Sequence, residues 1–177
     1  MTLQERIAAV MALGVSARRA EFITAVALHS GFCVRRQYEA FANVQPGKNV
    51  RDFLDGIVSR GLAARFSLRA NRGYIYHLKS RTIYRAMGQE HNRNRRDATP
   101  AQIARKLMVL DYVLSHRDIS WYATEKEKIE LLTGLGVPLG DLPRPAVYER
   151  IERQSHGSLL PGAPKRHQTA EHRRSRS

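Results

Sequence analysis

Residues 49–62, NVRDFLDGIVSRGL, constrain the fold more than any other stretch of the chain. Val50, Phe53, Leu54, Ile57 and Val58 recur at i, i+3, i+4, i+7 and i+8, which on a helix of about 3.6 residues per turn puts them on one stripe. Asn49 is a residue type that caps a helix start, and Gly61 is the type that closes one in a left-handed turn. The spacing predicts a helix over 49–60 with Arg51, Asp52, Asp55, Ser59 and Arg60 on its other side. Immediately afterwards the apolar period shortens. In ARFSL, Phe66 and Leu68 alternate with Ser67 and Arg69; in YIYHLK, Tyr74, Tyr76 and Leu78 alternate with Ile75 and His77. The link between them, RANRG, carries Asn and Gly, so the join predicts a β-hairpin entered directly from the helix. A striped helix and a two-stranded hairpin cannot bury their apolar faces alone, so the flanking segments must supply the cover.

Those segments read as helices. Residues 3–13 place Leu3, Ile7, Val10 and Met11 on one side, with Gly14 as a stop. Ser16 is the expected cap of a second helix containing Phe22, Ile23, Val26 and Ala27, ending at Ser30–Gly31. The stretch CVRRQYEAFAN is expected as a third, with Val34, Tyr38 and Phe41 facing inward, before the breaker VQPGK. Downstream, SRTIYRAMG predicts a short helix, and QEHNRNRRDA a polar loop. Thr99–Pro100–Ala101–Gln102 and Thr124–Glu125–Lys126–Glu127 are capping boxes, the first with proline at N1. They open two helices, one with Ile103, Leu107, Leu110 and Leu114 on a face, the other ending near Gly134. Beyond about residue 150 the apolar periodicity is lost, and a disordered tail is expected.

Charge separates these segments by role. The 177-residue chain carries a net +14, and its placement is uneven. Residues 60–96 hold ten Lys/Arg against one acid, a net of +9, and residues 144–177 hold eight against three, a net of +5. An excess of this kind points most often to nucleic acid and less often to an anionic membrane surface as partner. Catalytic patterns are missing: no Gly-rich phosphate loop follows a strand, no HExxH occurs, and no Ser, His and Asp are spaced as a triad. The expectation is a non-enzyme without cofactor, metal or small-molecule ligand. Cys33 is the only cysteine, which rules out an intramolecular disulfide or a cysteine zinc site and fits a reducing cytoplasm. Glu5 and Arg6 interrupt the apolar N-terminal run, and no apolar stretch of membrane length occurs, so neither an export signal nor a membrane partner is expected. Tyr74 and Tyr76 are expected to face the core, His77 and Cys33 to be structural, Trp121 to anchor the last helix, and the acids of KEKIELL to lie exposed.

The order helix, helix, turn, helix, hairpin, helix, with Ile57–Val58–Ser59–Arg60–Gly61–Leu62 running straight into RFSLRANRGYIYHLK, resembles the winged helix branch of the helix-turn-helix DNA-binding proteins. The likeness covers roughly residues 17–90. The breaker-rich NVQPGKN link is longer than the usual helix-turn-helix turn. The RTIYRAMG helix adds a looser similarity to replication-relaxation-type proteins of bacterial plasmids and mobile elements.

The resemblance implies a mainly α fold with a small β-hairpin, divided as an N-terminal helix over 1–15, a winged helix domain over 16–90, a basic loop over 91–98, a helical extension over 99–143 and a basic tail over 144–177. It implies a helix-turn-helix over 33–60, a recognition helix at 49–60 and a wing tip at 69–73. Lys48, Asn49 and Arg51 are then candidates for base or backbone contact, with Arg51 suited to guanine and Asn49 to adenine. Arg69 and Arg72 would meet DNA at the wing tip, and Arg93, Arg95 and Arg96 would extend the same basic surface along phosphates. The implied function is a cytoplasmic, nucleoid-associated DNA-binding protein in transcription regulation or mobile-element maintenance. Its expected partners are duplex DNA and a second copy of itself, docked through residues 99–134. A winged helix adaptor for another protein and an RNA-binding protein are the alternatives.

Overall fold

A computed structural model describes residues 1–67 and 73–142 of the chain. The fold is mainly helical with one small antiparallel sheet. The described residues form α1 (Leu3–Met11), α2 (Ala17–His29), β1 (Phe32–Val34), α3 (Arg35–Ala42), α4 (Lys48–Ser59), β2 (Ala64–Ser67), β3 (Tyr74–His77), α5 (Arg81–Ala86), α6 (Pro100–Ser115) and α7 (Glu125–Gly134). Short 3₁₀ turns occupy Arg93–Arg95 and Leu139–Asp141. Both predicted capping boxes form: the Thr99 hydroxyl accepts from the Gln102 amide at 3.4 Å and that of Thr124 from the Glu127 amide at 3.3 Å. Gly61 takes a positive φ of 67° just past α4, as a helix-closing glycine should.

The core is built around α2. Phe22 sits edge-on to Tyr38 of α3 with ring centroids 5.0 Å apart, and 6.5 Å from Phe53 of α4; Tyr38 and Phe53 are themselves 4.5 Å apart. Each such pair adds about 0.5–1.5 kcal/mol beyond the area it buries, so this cluster holds α3 and α4 against α2. Val50, Phe53, Leu54 and Ile57 are buried, as the period of their helix predicted, and Val58 is half-buried beside them. Ile83 and Tyr84 of α5 and Met87 just after it close the other end beside α1.

Three local readings are corrected. Cys33 and Val34 do not start the third helix but belong with Phe32 to a strand, pairing with β3 so that Phe32, Cys33 and Val34 face His77, Tyr76 and Ile75. A three-residue strand is too short to show a period, and its residues also suit the apolar side of the helix that follows. Gly47, not Asn49, is the N-cap of α4, and it offers no side-chain cap; Asn49 lies inside the first turn. Tyr74 does not face the core: it is 42 % exposed, whereas Tyr76 is buried.

The sheet order β1–β3–β2 gives each residue a face. Cys33, Tyr76 and Arg65 stand side by side across the three strands on one face, and Phe32, His77 and Ala64 on the other. Of the α6 face of Ile103, Leu107, Leu110 and Leu114, Leu110 is buried and the other three are half-buried, with α6 lying against α2, α3 and β1. Its far side leaves Met108, Val109 and Tyr112 exposed. Trp121 anchors the end of α6: its indole N–H donates to the His116 carbonyl at 3.0 Å and its ring meets Tyr112 edge-on. No helix among the described residues is long and apolar enough to cross a membrane.

Candidate nucleic-acid interface

The start of α3, the outer side of α4 and the tyrosine side of the hairpin enclose a groove of about 650 Å³. Four arginines line it: Arg35 and Arg36 from the first turn of α3, Arg51 from α4 and Arg65 from β2. Helix and strand periods explain why they converge. Tyr38 and Phe41 hold the apolar side of α3 in the core, which turns Arg35 and Arg36 outward; Arg65 is carried to the same side by its register opposite Tyr76.

Three of the four are held by acids. Arg35 pairs with Glu39 one turn on at 3.1 Å. Arg36 grips Asp111 of α6 with two hydrogen bonds of 2.9 and 2.6 Å, and the Gln37 amide adds another to the same carboxylate at 2.8 Å. Burial pushes the Asp111 carboxyl up, but the bonds from Arg36 and Gln37 outweigh it and hold the group below its ordinary range. Arg65 bonds Asp55 of α4 at 2.7 Å, with its guanidinium 4.5 Å from the centroid of the Tyr74 ring. Arg51 has no ion pair among the described residues and is exposed. Beside it, Lys48 and Asn49 occupy the exposed first turn of α4, where backbone N–H groups without helical partners add partial positive charge.

Arg93, Arg95 and Arg96 lie elsewhere. Their segment meets the sheet through the opposite face, where the His77 ring Nε2–H donates to the Asn94 carbonyl at 3.1 Å. Residue 94 thus lies on the His77 side of the sheet, not the Tyr76 side that faces the α3–α4 groove. Asn94 explains the geometry. It is buried, and its side-chain amide donates to the carbonyls of Ala27 and Leu28 at 3.0 and 2.9 Å while its oxygen accepts from Lys106 Nζ at 2.6 Å. Burial lowers the Lys106 amine below its ordinary pKa, with Arg93 adding to the effect. His77 is fully buried and stacks on Phe32 at 4.0 Å; burial lowers its pKa against the opposing pull of the Asn94 bond and of Asp97.

Much of the arginine run is likewise employed inside the fold. Glu90, the only acid of residues 60–96, takes both Arg81 and Arg85, whose hydrogen bonds hold its carboxyl below the ordinary range. Arg95 donates to the Glu90 carbonyl at 2.6 Å, and Arg60 donates to the Leu13 carbonyl. Arg93 and Arg96 remain exposed. Arg69 and Arg72, the wing-tip candidates, lie outside the described residues. Cys33 is fully enclosed, and burial pushes its thiol up to about 12. Among the described residues no three His, Cys, Asp or Glu are grouped to hold a metal ion.

Sequence reasoning passed over Arg35, Arg36, Arg65 and Tyr74 as interface residues. The signal of the three arginines, position opposite an apolar stripe, is that of any solvated face, Tyr74 reads as an inward strand residue, and only the β1 pairing brings the two ends of the groove together. The chain matches no protein-family model, no curated protein and no solved structure.

Proposed function

We propose that the chain is a winged helix protein that binds duplex DNA in a regulatory or accessory role. One arrangement carries the reading: the exposed first turn of α4, with Lys48, Asn49 and the unpaired Arg51, borders an arginine-lined groove whose opposite wall is the β2–β3 hairpin. The short β1 ties the start of α3 to the inner strand of that hairpin, so helix pair and hairpin present their basic sides as one unit. At 12 residues α4 is about 18 Å long and, with side chains, about 10–12 Å across, dimensions a major groove of about 12 Å accepts. In this reading Arg51 and Asn49 meet base edges, and Lys48, Arg35 and the hairpin arginines Arg69 and Arg72 meet phosphates. Arg93 and Arg96, both exposed, add phosphate contacts from the His77 side of the sheet in this reading.

One observation favours the adaptor alternative: three of the four groove arginines already have acid partners, and Asp52 is exposed beside Arg51. Fluorescence anisotropy with labelled duplex DNA, single strands and RNA, titrated in parallel from 50 to 200 mM salt as about six to ten phosphate contacts would require, decides between them. Duplex binding that weakens steeply with salt and is further weakened by Arg51→Ala is expected. No binding at the lowest salt, or binding indifferent to Arg51 and Lys48, would refute the reading; preference for RNA would replace DNA as the partner.

A further inference from the structure

A second cavity, of about 780 Å³, lies between α1, α2 and the link from α6 to α7, within the range of small-molecule sites. Its chemistry is the reverse of the basic groove. Five carboxylates line it against three cations, the guanidinia of Arg6 and Arg117 and the Met1 ammonium, on a chain whose net charge is +14. Arg6 pairs with Glu127 at 2.5 Å, Arg117 with Glu21 at 2.8 Å and the Met1 ammonium with Glu5 at 3.9 Å, which takes all three cations out of play. Asp118 has no ion pair among the described residues, and Glu130 has only an exposed Lys126 at 3.7 Å, a pairing of little strength. The rim is therefore left negative. Burial lowers the His29 pKa below its ordinary value, against the opposing pull of Glu127.

The walls are apolar and partly aromatic, with Trp121 and Tyr122 on one side and Leu28 and Val113 on the other. Carboxylates at the mouth of a low-dielectric cleft concentrate cations, and indole and phenol faces attract them further. A carboxylate-bearing ligand would meet the reverse field.

We propose that this cavity binds an organic cation with an apolar body, of the alkylammonium or arylammonium class, between Trp121 and the carboxylates of Asp118 and Glu130. The site is independent of the nucleic-acid reading, since it shares no residue with the α3–α4 groove.

Trp121 is the only tryptophan of the chain, so intrinsic fluorescence reports on the site directly. The full chain is titrated with decyltrimethylammonium below its micelle-forming concentration, with decanoate and tetramethylammonium as controls and far-ultraviolet circular dichroism to register any unfolding. A saturable change with decyltrimethylammonium is expected, at least about tenfold tighter than with either control, the equivalent of one decade in Kd. The surface variant Asp118→Asn with Glu130→Gln should weaken it several-fold without altering the circular dichroism. Ala25→Phe, which places a ring in the cavity from α2, should abolish it. An unsaturable response, decanoate binding as tightly as the cation, or equal affinity in the double variant would overturn the proposal.

Discussion

Replacing Gly31 with alanine tests how the basic loop is held to the domain. Gly31 adopts φ of +80°, a conformation in which any Cβ is strained by about 1–2 kcal/mol. A Cβ built there would lie 2.2 Å from the Asn94 carbonyl oxygen and 3.0 Å from its carbon, so the backbone of residue 94 must move. That movement disturbs the bonds Asn94 donates to Ala27 and Leu28 and those it accepts from Lys106 and His77. Buried hydrogen bonds contribute about 0.5–1.5 kcal/mol each, and a stranded buried group costs about 1–3 kcal/mol. A total near 3–5 kcal/mol follows for Gly31→Ala. Gly61→Ala is the control within the same domain, because Gly61 also has positive φ, +67°, but its Cβ would meet nothing within 4 Å. It should lose only the conformational part, about 1–2 kcal/mol. Urea unfolding followed by circular dichroism reads the difference. With a slope of about 1–3 kcal/mol/M, a difference of about 2–3 kcal/mol separates the midpoints by about 0.7–3 M. Equal midpoints for the two variants would show that Asn94 is not anchored where the geometry puts it.

Other consequences are open to direct measurement. Because burial depresses the His77 pKa, the unfolded chain takes up the proton first as pH falls through about 6.5, and stability should drop below that point. His77→Gln should flatten that part of the melting-temperature profile; His29 contributes in the same direction and remains in the variant. Glu127 is held below its ordinary range: burial raises it, and the Thr124 amide and Arg6 outweigh that effect. The stability it confers is present above about pH 4.5 and lost as the pH falls through its lowered folded value, so Glu127→Gln should destabilise at pH 7 and shrink the loss in acid. The Cys33 thiol, enclosed and raised to about 12, should resist a disulfide reagent at pH 8 in the native protein and react promptly in urea. If duplex binding is found, each lost phosphate contact should reduce the salt slope by about 0.9, a loss to be looked for in Lys48→Ala and in the pair Arg69→Ala with Arg72→Ala.

Local chemistry made several elements readable without the fold. The stripe of α4 needs only helix geometry; the boxes at Thr99 and Thr124 need only four consecutive residues; the hairpin needs only an alternation around Asn and Gly. Such signals lie within one or two turns of chain, where backbone sterics and capping act. β1 escaped because three residues carry no period, and its identity as a strand is conferred by β3, more than forty residues away. The candidate interface was half legible for the same reason. Lys48, Asn49 and Arg51 follow from the outer side of a striped helix, but Arg35, Arg36 and Arg65 become neighbours only when β1 pairs with β3.

The amino-acid sequence by itself determined the helical elements, the hairpin and the concentration of positive charge in residues 60–96, since each depends on local period or on composition. Tertiary structure alone decided where that charge goes. A buried Asn94, seated over Gly31, turns the loop of Arg93 and Arg96 to the sheet face opposite the α3–α4 groove, and Glu90 absorbs two arginines from α5. Net charge is additive along a chain, but a surface is not: which cations share a face depends on contacts between residues far apart in sequence.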